Sequence, residues 1–114
     1  MTISDVRDIL EAAVISGQEL LDAEVHNACG SDMMSDVLAF VKDQSVLLTG
    51  LVNPQAVRTA DMMDMVCIVF VRGKEPGPEI IKLADDRGIV LMKTPHRMFT
   101  ACGLLYEAGL RGGN

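Results

Sequence analysis

Three short runs of apolar residues, each followed closely by a signal for a helix start, most constrain the fold of this chain. The runs are Ser45–Leu51, Val66–Val71 and Ile89–Met92, and apolar and polar residues do not alternate within them. Such runs are typical of strands that are covered on both faces. Parallel strands need crossover connections, and the crossover helices lie on the faces of the sheet. The pattern therefore predicts an α/β fold with a mostly parallel sheet and helices on both faces.

Proline marks the predicted start of the helix that follows each run. Asn53-Pro54 and Thr94-Pro95 place a favoured N-cap residue before a proline at the first helical position. Gly88 suits a left-handed stop, and Gly109 ends the last pattern. The predicted helices run from Asn53-Pro54 to about Met63, from Pro78 to Gly88 and from Thr94-Pro95 to Gly109.

The N-terminal part gives weaker signals, which rest on apolar spacing and short turn sequences. Its predicted elements are a helix at Ile3–Leu10 capped by Thr2 or Ser4, a strand at Ala13–Ser16, a weaker strand at Glu24–Ala28, and a helix from Met33 to Val41 with Ser31 or Asp32 near its start.

The length and charge limit the class of protein. A chain of 114 residues fits one domain, 1–114, and 110–114 are expected to form a frayed tail. The net charge of −6 argues against general binding to nucleic acid or to an anionic membrane. The sequence shows no targeting signal and no apolar run of membrane-spanning length. Three cysteines without a Cys-x-x-Cys pair favour a reduced, cytoplasmic protein.

A binding site is expected beyond the carboxyl ends of the predicted strands, where open α/β sheets bind their ligands. Helix starts gathered at this edge offer unpaired N–H groups and a partial positive charge, which suit a small anion or a nucleotide phosphate. In the alternative interpretation, Asn53 and Thr94 only cap helices, and Arg58 and Arg72 only form surface ion pairs. The candidate ligand-binding residues are Ser31, Asp32, Thr49, Gly50, Asn53, Arg58, Arg72, Gly73 and Thr94.

The segment from Ser31 to Asp36 contains two Ser-Asp pairs four residues apart. On a helix this spacing brings Asp32 and Asp36 to one face, where two carboxylates can bind a cation or divide acid and base roles. The alternative is an ordinary helix start, where hydroxyls cap the helix and acidic residues favour its dipole.

The residues do not form a convincing catalytic set. His26 and Cys29 are three residues apart, but no second ligand pair accompanies them, which argues against zinc. The glycine patterns of dinucleotide-binding and phosphate-binding loops are absent from the sequence. We therefore expect a non-enzyme without a metal or a cofactor.

Four blocks of sequence together resemble the DRTGG domain, and more narrowly its compact stand-alone branch. They cover nearly the whole chain, and their combination is more specific than any single block. The blocks are Ser31–Phe40 (SDMMSDVLAF), Val46–Pro54 (VLLTGLVNP), Ile68–Pro76 (IVFVRGKEP) and Thr94–Leu110 (TPHRMFTACGLLYEAGL).

The resemblance implies a fold similar to the N-terminal domain of HPr kinase/phosphatase and a regulatory, ligand-sensing or dimerising role. It implies a homodimer and a partner among hydrogenase-type subunits or sensor kinases. The alternative function is a structural or interaction subunit of a hydrogenase or electron-transfer complex. At the turns that give the family its name, only Gly50 and Gly73 match. Val71-Arg72-Gly73 stands where Thr-Gly-Gly is expected, and Leu51–Pro54 where Asp-Arg is expected.

Overall fold

The fold is a five-stranded sheet with helices packed on both faces, seen in a computed structural model that describes residues 1–40 and 44–113. Its strand order is β1-β5-β4-β3-β2. Strands β2 to β5 are parallel, and β1 pairs antiparallel with β5 at one edge. The predicted mostly parallel sheet is confirmed. The strands are β1 (Ala13–Ser16), β2 (Asn27–Gly30), β3 (Ser45–Thr49), β4 (Cys67–Phe70) and β5 (Val90–Lys93).

The helices divide between the two faces. Helices α2, α3 and α4 connect successive parallel strands and share one apolar core, while α1 and α5 share the core of the opposite face. One face holds all three crossovers because each strand is added next to the previous one in the same direction. The helices are α1 (Ile3–Leu10), α2 (Met34–Phe40), α3 (Pro54–Met62), α4 (Pro78–Asp86) and α5 (Met98–Glu107).

The central strands explain why the sequence shows apolar runs without alternation. Every residue of β3 and β4 is buried. Within β3, Val46 and Leu48 face the core beneath α1 and α5, and Leu47 faces the core beneath α2 to α4. Apolar side chains are therefore required on both sides of each strand.

Local capping signals place two helices as predicted. The Asn53 side chain accepts a hydrogen bond from the Gln55 N–H at 2.9 Å, and Pro54 begins α3. At α1, Thr2 and Asp5 form a reciprocal capping box. The hydrogen bond from the Thr2 N–H lowers the pKa of the Asp5 carboxyl. Gly88 follows α4 with a left-handed φ of 69°.

The predicted start of the last helix is wrong. Helix α5 begins at Met98, with Arg97 at its N-cap position, instead of after Thr94-Pro95. The buried Thr94 hydroxyl donates to the Leu10 carbonyl at 2.7 Å. Thr94 therefore joins the end of β5 to the end of α1 and does not cap α5.

Helix α2 begins at Met34 with Ser31 and Asp32 just before it, as predicted, and the predicted end at Val41 lies outside the described residues. Two other regions differ from the prediction. The weak strand lies at Asn27–Gly30, and Glu24 forms only an isolated bridge with Thr2. The chain expected to fray from 110 onward is docked as far as Arg111, whose carbonyl accepts from the Ala28 N–H at 2.9 Å.

None of the helices in the described ranges is both long enough and apolar enough to cross a membrane.

Candidate functional site

The strand-end hollow lies at the carboxyl ends of the parallel strands. It lies between the segments that follow β2 and β4 and the start of α5. Its volume is about 460 Å³. It is lined by Gly30, Ser31, Asp32, Val71, Arg72, Arg97, Met98 and Phe99.

Asp32 fixes the turn that follows β3. Its Oδ1 accepts hydrogen bonds from the Gly50 N–H at 2.6 Å and from Thr49 Oγ1 at 3.1 Å. Thr49 Oγ1 in turn accepts from the Leu51 N–H at 3.1 Å. Asp32 therefore accepts hydrogen bonds from the end of β3, and Thr49 and Gly50 hold its carboxylate in position.

Ser31 begins the turn into α2. Its backbone N–H donates to the Leu48 carbonyl at 3.0 Å, which extends the pairing of β2 with β3 by one residue. Its Oγ accepts from the Met33 N–H at 3.0 Å. These bonds hold Ser31 and Asp32 at the rim of the hollow.

Gly50 leaves room for two charged groups. A Cβ at this position would lie 3.3 Å from Arg72 Nη2 and 3.4 Å from either Asp32 carboxylate oxygen. Lys74 Nζ donates to the Gly50 carbonyl at 2.8 Å. A guanidinium, a carboxylate and an ammonium group therefore gather around one glycine at the end of β3.

The Arg72 backbone is held in an unusual conformation. Its φ of 60° lies in the left-handed region, which costs a non-glycine residue about 1 kcal/mol or more. Its N–H donates to the His96 carbonyl at 2.8 Å, and the Gly73 N–H donates to the Thr94 carbonyl at 2.7 Å. These two bonds fix the loop after β4 against the loop after β5 and set the position of Arg72.

Arg97 and Phe99 complete the hollow from the start of α5. Phe99 is 91% exposed, so its ring faces solvent at the mouth. Within residues 1–40 and 44–113, neither Arg72 nor Arg97 has an acidic side chain within ion-pair distance. Two guanidinium groups and one carboxylate line the hollow, which leaves a local positive charge on an acidic protein.

Comparisons with known proteins agree with the sequence resemblance. A family model described as the DRTGG domain matches residues 5–108. The chain belongs to the DRTGG domain family. None of the curated proteins matches it.

A solved structure confirms the fold. It is the crystal structure of the CBS and DRTGG domains of the regulatory region of Clostridium perfringens pyrophosphatase, complexed with the activator diadenosine tetraphosphate. The two structures are similar with a TM-score of 0.76 and 20% sequence identity. The match covers 98% of this chain and 48% of the other, so this chain spans about half the length of that neighbour.

Six of the nine residues predicted for the site do not line the hollow of this DRTGG chain, and Thr49 and Gly50 among them contact it only through Asp32. Asn53 caps α3, and Thr94 is buried with its hydroxyl bound to the Leu10 carbonyl. Arg58 is exposed on α3. Gly73 does not line the hollow but holds the neighbouring loop, whereas Ser31, Asp32 and Arg72 line it directly.

Of the two interpretations of the segment from Ser31 to Asp36, the ordinary helix start is confirmed and the pairing of Asp32 with Asp36 on one helix face is not observed. Helix α2 begins at Met34, so Asp32 precedes it and points its carboxylate at Gly50. Asp36 lies on the exposed side of α2. The two carboxylates therefore have different surroundings and do not form an acid–base pair through helical spacing.

Sequence reasoning missed Gly30, Arg97 and Phe99. With Pro95 as the first helical residue, Arg97 would be the third and Phe99 the fifth, whereas in the structure Arg97 is the N-cap residue and Phe99 the second helical residue. Gly30 could have been singled out from the sequence, because a glycine at the end of a strand often marks a position where another group approaches the backbone closely. A Cβ on Gly30 would lie only 2.5 Å from Cys102 Sγ.

The thiols of this DRTGG chain are not activated. Burial raises the pKa of Cys29, Cys67 and Cys102, and nearby Cys102 and Asp36 raise that of Cys29 further. A neutral thiol is a weak nucleophile and a poor metal ligand. Among the described residues, no group of three His, Cys, Asp or Glu side chains is arranged to hold a metal ion.

Proposed function

We propose that this chain is a non-catalytic regulatory domain that senses a small anion or a nucleotide in the strand-end hollow. The observation that carries the proposal is the pair of guanidinium groups, Arg72 and Arg97, that line one hollow without an acidic partner in the described chain. Arginine offers a planar set of donors that matches phosphate oxygens, and such charge-assisted bonds are strong.

The remaining lining fits the other parts of a nucleotide. Asp32 uses Oδ1 for the β3 turn, and its Oδ2, which accepts no hydrogen bond within the described chain, can accept one from a sugar hydroxyl. The exposed Phe99 ring offers a face on which a base can stack. A nucleotide would then place its phosphates on the arginines and its base at the mouth.

The solved neighbour supports a regulatory role. Its regulatory region contains a DRTGG domain and is complexed with a nucleotide activator, diadenosine tetraphosphate. The shared fold covers 98% of this chain and 48% of that chain. A nucleotide with adjacent phosphates is therefore the first class of ligand to test.

Isothermal titration of the purified chain with ATP, diadenosine tetraphosphate and inorganic phosphate tests the proposal. We expect Arg72→Ala to weaken binding about tenfold or more, because a charged hydrogen bond contributes about 1.5–3 kcal/mol. Arg58→Ala removes an exposed arginine outside the hollow and should leave the affinity unchanged. No binding of any of the three ligands at millimolar concentration, or an equal loss in both variants, would refute the site.

The cytoplasmic location, the homodimer and the hydrogenase-type or sensor-kinase partner stay predictions. The alternative function, a structural subunit of an electron-transfer complex, differs in needing no small ligand. Co-purification from cells of the native host tests this alternative, and a chain that always elutes alone would count against it.

A further inference from the structure

His96 lies between the two arginines of the strand-end hollow, although it does not line the hollow itself. Its backbone carbonyl accepts a hydrogen bond from the Arg72 N–H at 2.8 Å, and Arg97 is the next residue in the chain. Its own N–H donates to Thr94 Oγ1 at 3.3 Å. The placement of both guanidinium groups therefore depends on how firmly the loop at His96 is held.

The His96 side chain ties this loop to the end of α1. Its Nε2 lies 3.1 Å from Glu11 Oε1, and Nε2 is the donor because an ionised carboxylate only accepts hydrogen bonds. Glu11 follows α1 with a left-handed φ of 53°, and its N–H donates to the Asp8 carbonyl at 3.3 Å. The contact joins residues 85 apart in sequence, so a second element holds the loop in addition to its own strand.

The charges around His96 consist of one carboxylate and two unpaired cations. Within residues 1–40 and 44–113, Glu11 is the only charged side chain bonded to the His96 ring. Over the same ranges, the Arg72 and Arg97 guanidinium groups form no ion pair. The other charged groups on the adjoining element ends are paired with each other, Arg7 with Asp8 on α1 and Lys93 of β5 with Glu75.

We propose that His96 is a positioning residue of the strand-end hollow and that anion binding there strengthens when His96 gains a proton. This inference rests on the proposed function of the hollow. Histidine ordinarily changes its charge between about pH 5 and pH 8. A protonated ring holds Glu11 more strongly, because both partners are then charged.

The charge of the protonated ring acts in the same direction as its contact with Glu11. In the absence of a ligand, the proton adds a third positive charge beside Arg72 and Arg97. An anion bound to the two guanidinium groups offsets that charge, so it favours the protonated state of His96. By reciprocity, the protonated state favours the bound anion. The affinity for an anion should therefore rise as the pH falls.

Amide hydrogen exchange, measured by NMR without any ligand, tests the positioning role. His96→Ala and Glu11→Ala should each raise the exchange rate of the Arg72 amide about two- to fivefold, because the loop that accepts its hydrogen bond opens more easily. Asp8→Ala is the matched control, since it removes a charge from the same end of α1 without touching His96. An unchanged rate in the first two variants, or the same rise in all three, would overturn the role of His96.

Titration with inorganic sulfate at about pH 5.5 and about pH 8 tests the dependence on a proton. Sulfate keeps the same charge over this range, so a change in affinity belongs to the protein. The wild-type chain should bind sulfate about two- to fivefold more tightly at the lower pH. His96→Gln still offers a donor to Glu11 but cannot gain a charge. It should keep the slow exchange of the Arg72 amide and lose the pH response.

His26→Gln is the matched control for the pH response, because the chain has two histidines and His26 is exposed. This variant should respond to pH as the wild type does. An equal response in His96→Gln and wild type would overturn the dependence on His96. No sulfate binding at either pH would overturn the proton dependence together with the hollow. The exchange measurement needs no ligand, so failure of the hollow and failure of the positioning role are distinguishable.

Discussion

At Gly30 the end of β2 comes close to helix α5. Its Cα faces Cys102 Sγ, and an added Cβ would lie 2.5 Å from that sulfur. We predict that Gly30→Ala lowers the free energy of unfolding by about 1–3 kcal/mol, as overpacking of a filled core does. Urea denaturation of the single variant in dilute solution measures this effect.

The cause of that loss can be isolated with a second substitution. In a Cys102→Ala background, Gly30→Ala should cost at least about 1 kcal/mol less, because the clashing sulfur is gone. Gly103→Ala is the matched control, since its added Cβ meets open space, and replacing a glycine within a helix should stabilise the chain by about 0.5–1 kcal/mol. Equal losses for Gly30→Ala with and without Cys102 would show that the sulfur is not the obstacle.

Asp32 is the second residue whose role reaches beyond its own element. Its carboxylate joins the start of α2 to the Gly50 N–H at 2.6 Å. We predict that Asp32→Ala lowers the free energy of unfolding by about 1–3 kcal/mol, because it leaves the Gly50 N–H and the Thr49 hydroxyl without their acceptor. Asp36→Ala, an exposed acidic residue on the adjacent helix, should have little effect. A comparable loss in both variants would contradict this role for Asp32.

At the scale of elements, Thr94 connects the end of β5 to the end of α1. Its buried hydroxyl donates to the Leu10 carbonyl at 2.7 Å across 84 residues of sequence. Thr94→Val keeps the shape but leaves that carbonyl unpaired, so we predict a loss of about 1–3 kcal/mol in urea unfolding. Thr94→Ser should retain most of the stability, and Thr100→Val, on the exposed side of α5, should retain nearly all of it. Equal stability of Thr94→Val and wild type would argue against the connection.

The elements of the second half of the chain could be predicted because their signals are local. Asn53-Pro54 and Pro78 begin their helices where the pattern indicates, and the fully apolar runs are strands. Thr94-Pro95 carries the same local signal as Asn53-Pro54 but begins no helix. The two sequences differ in their tertiary contacts, because the Thr94 hydroxyl donates a hydrogen bond to the Leu10 carbonyl. A contact between residues so far apart in sequence cannot be predicted from a local pattern.

The candidate site could be predicted in its location but only partly in its residues. The rule that ligands bind at the carboxyl ends of parallel strands indicated the edge of the sheet at which Ser31, Asp32 and Arg72 line a hollow. Arg97 and Phe99 were missed because their place depends on where α5 begins. Asp32 accepts a hydrogen bond from the Gly50 N–H, 18 residues away in the sequence. Only the register of β2 against β3 brings these two residues together.

At the scale of the whole molecule, the buried thiols make stability depend on pH. The pKa values of Cys29, Cys67 and Cys102 are raised in the folded protein, so the folded state keeps protons that the unfolded chain releases above about pH 8.5. Because the unfolded state then binds fewer protons, the free energy of unfolding falls as the pH rises. Below the unfolded thiol pKa, the stability is fully retained.

Cys67→Ala should make this alkaline loss smaller. Cys67 is completely buried, and its thiol should contribute about 1.4 kcal/mol of lost stability for each pH unit above the unfolded pKa. Urea unfolding between about pH 7 and pH 9.5 compares the slopes of the variant and the wild type, which share all other titrating groups. Parallel slopes would mean that Cys67 ionises as readily in the folded chain as in the unfolded one.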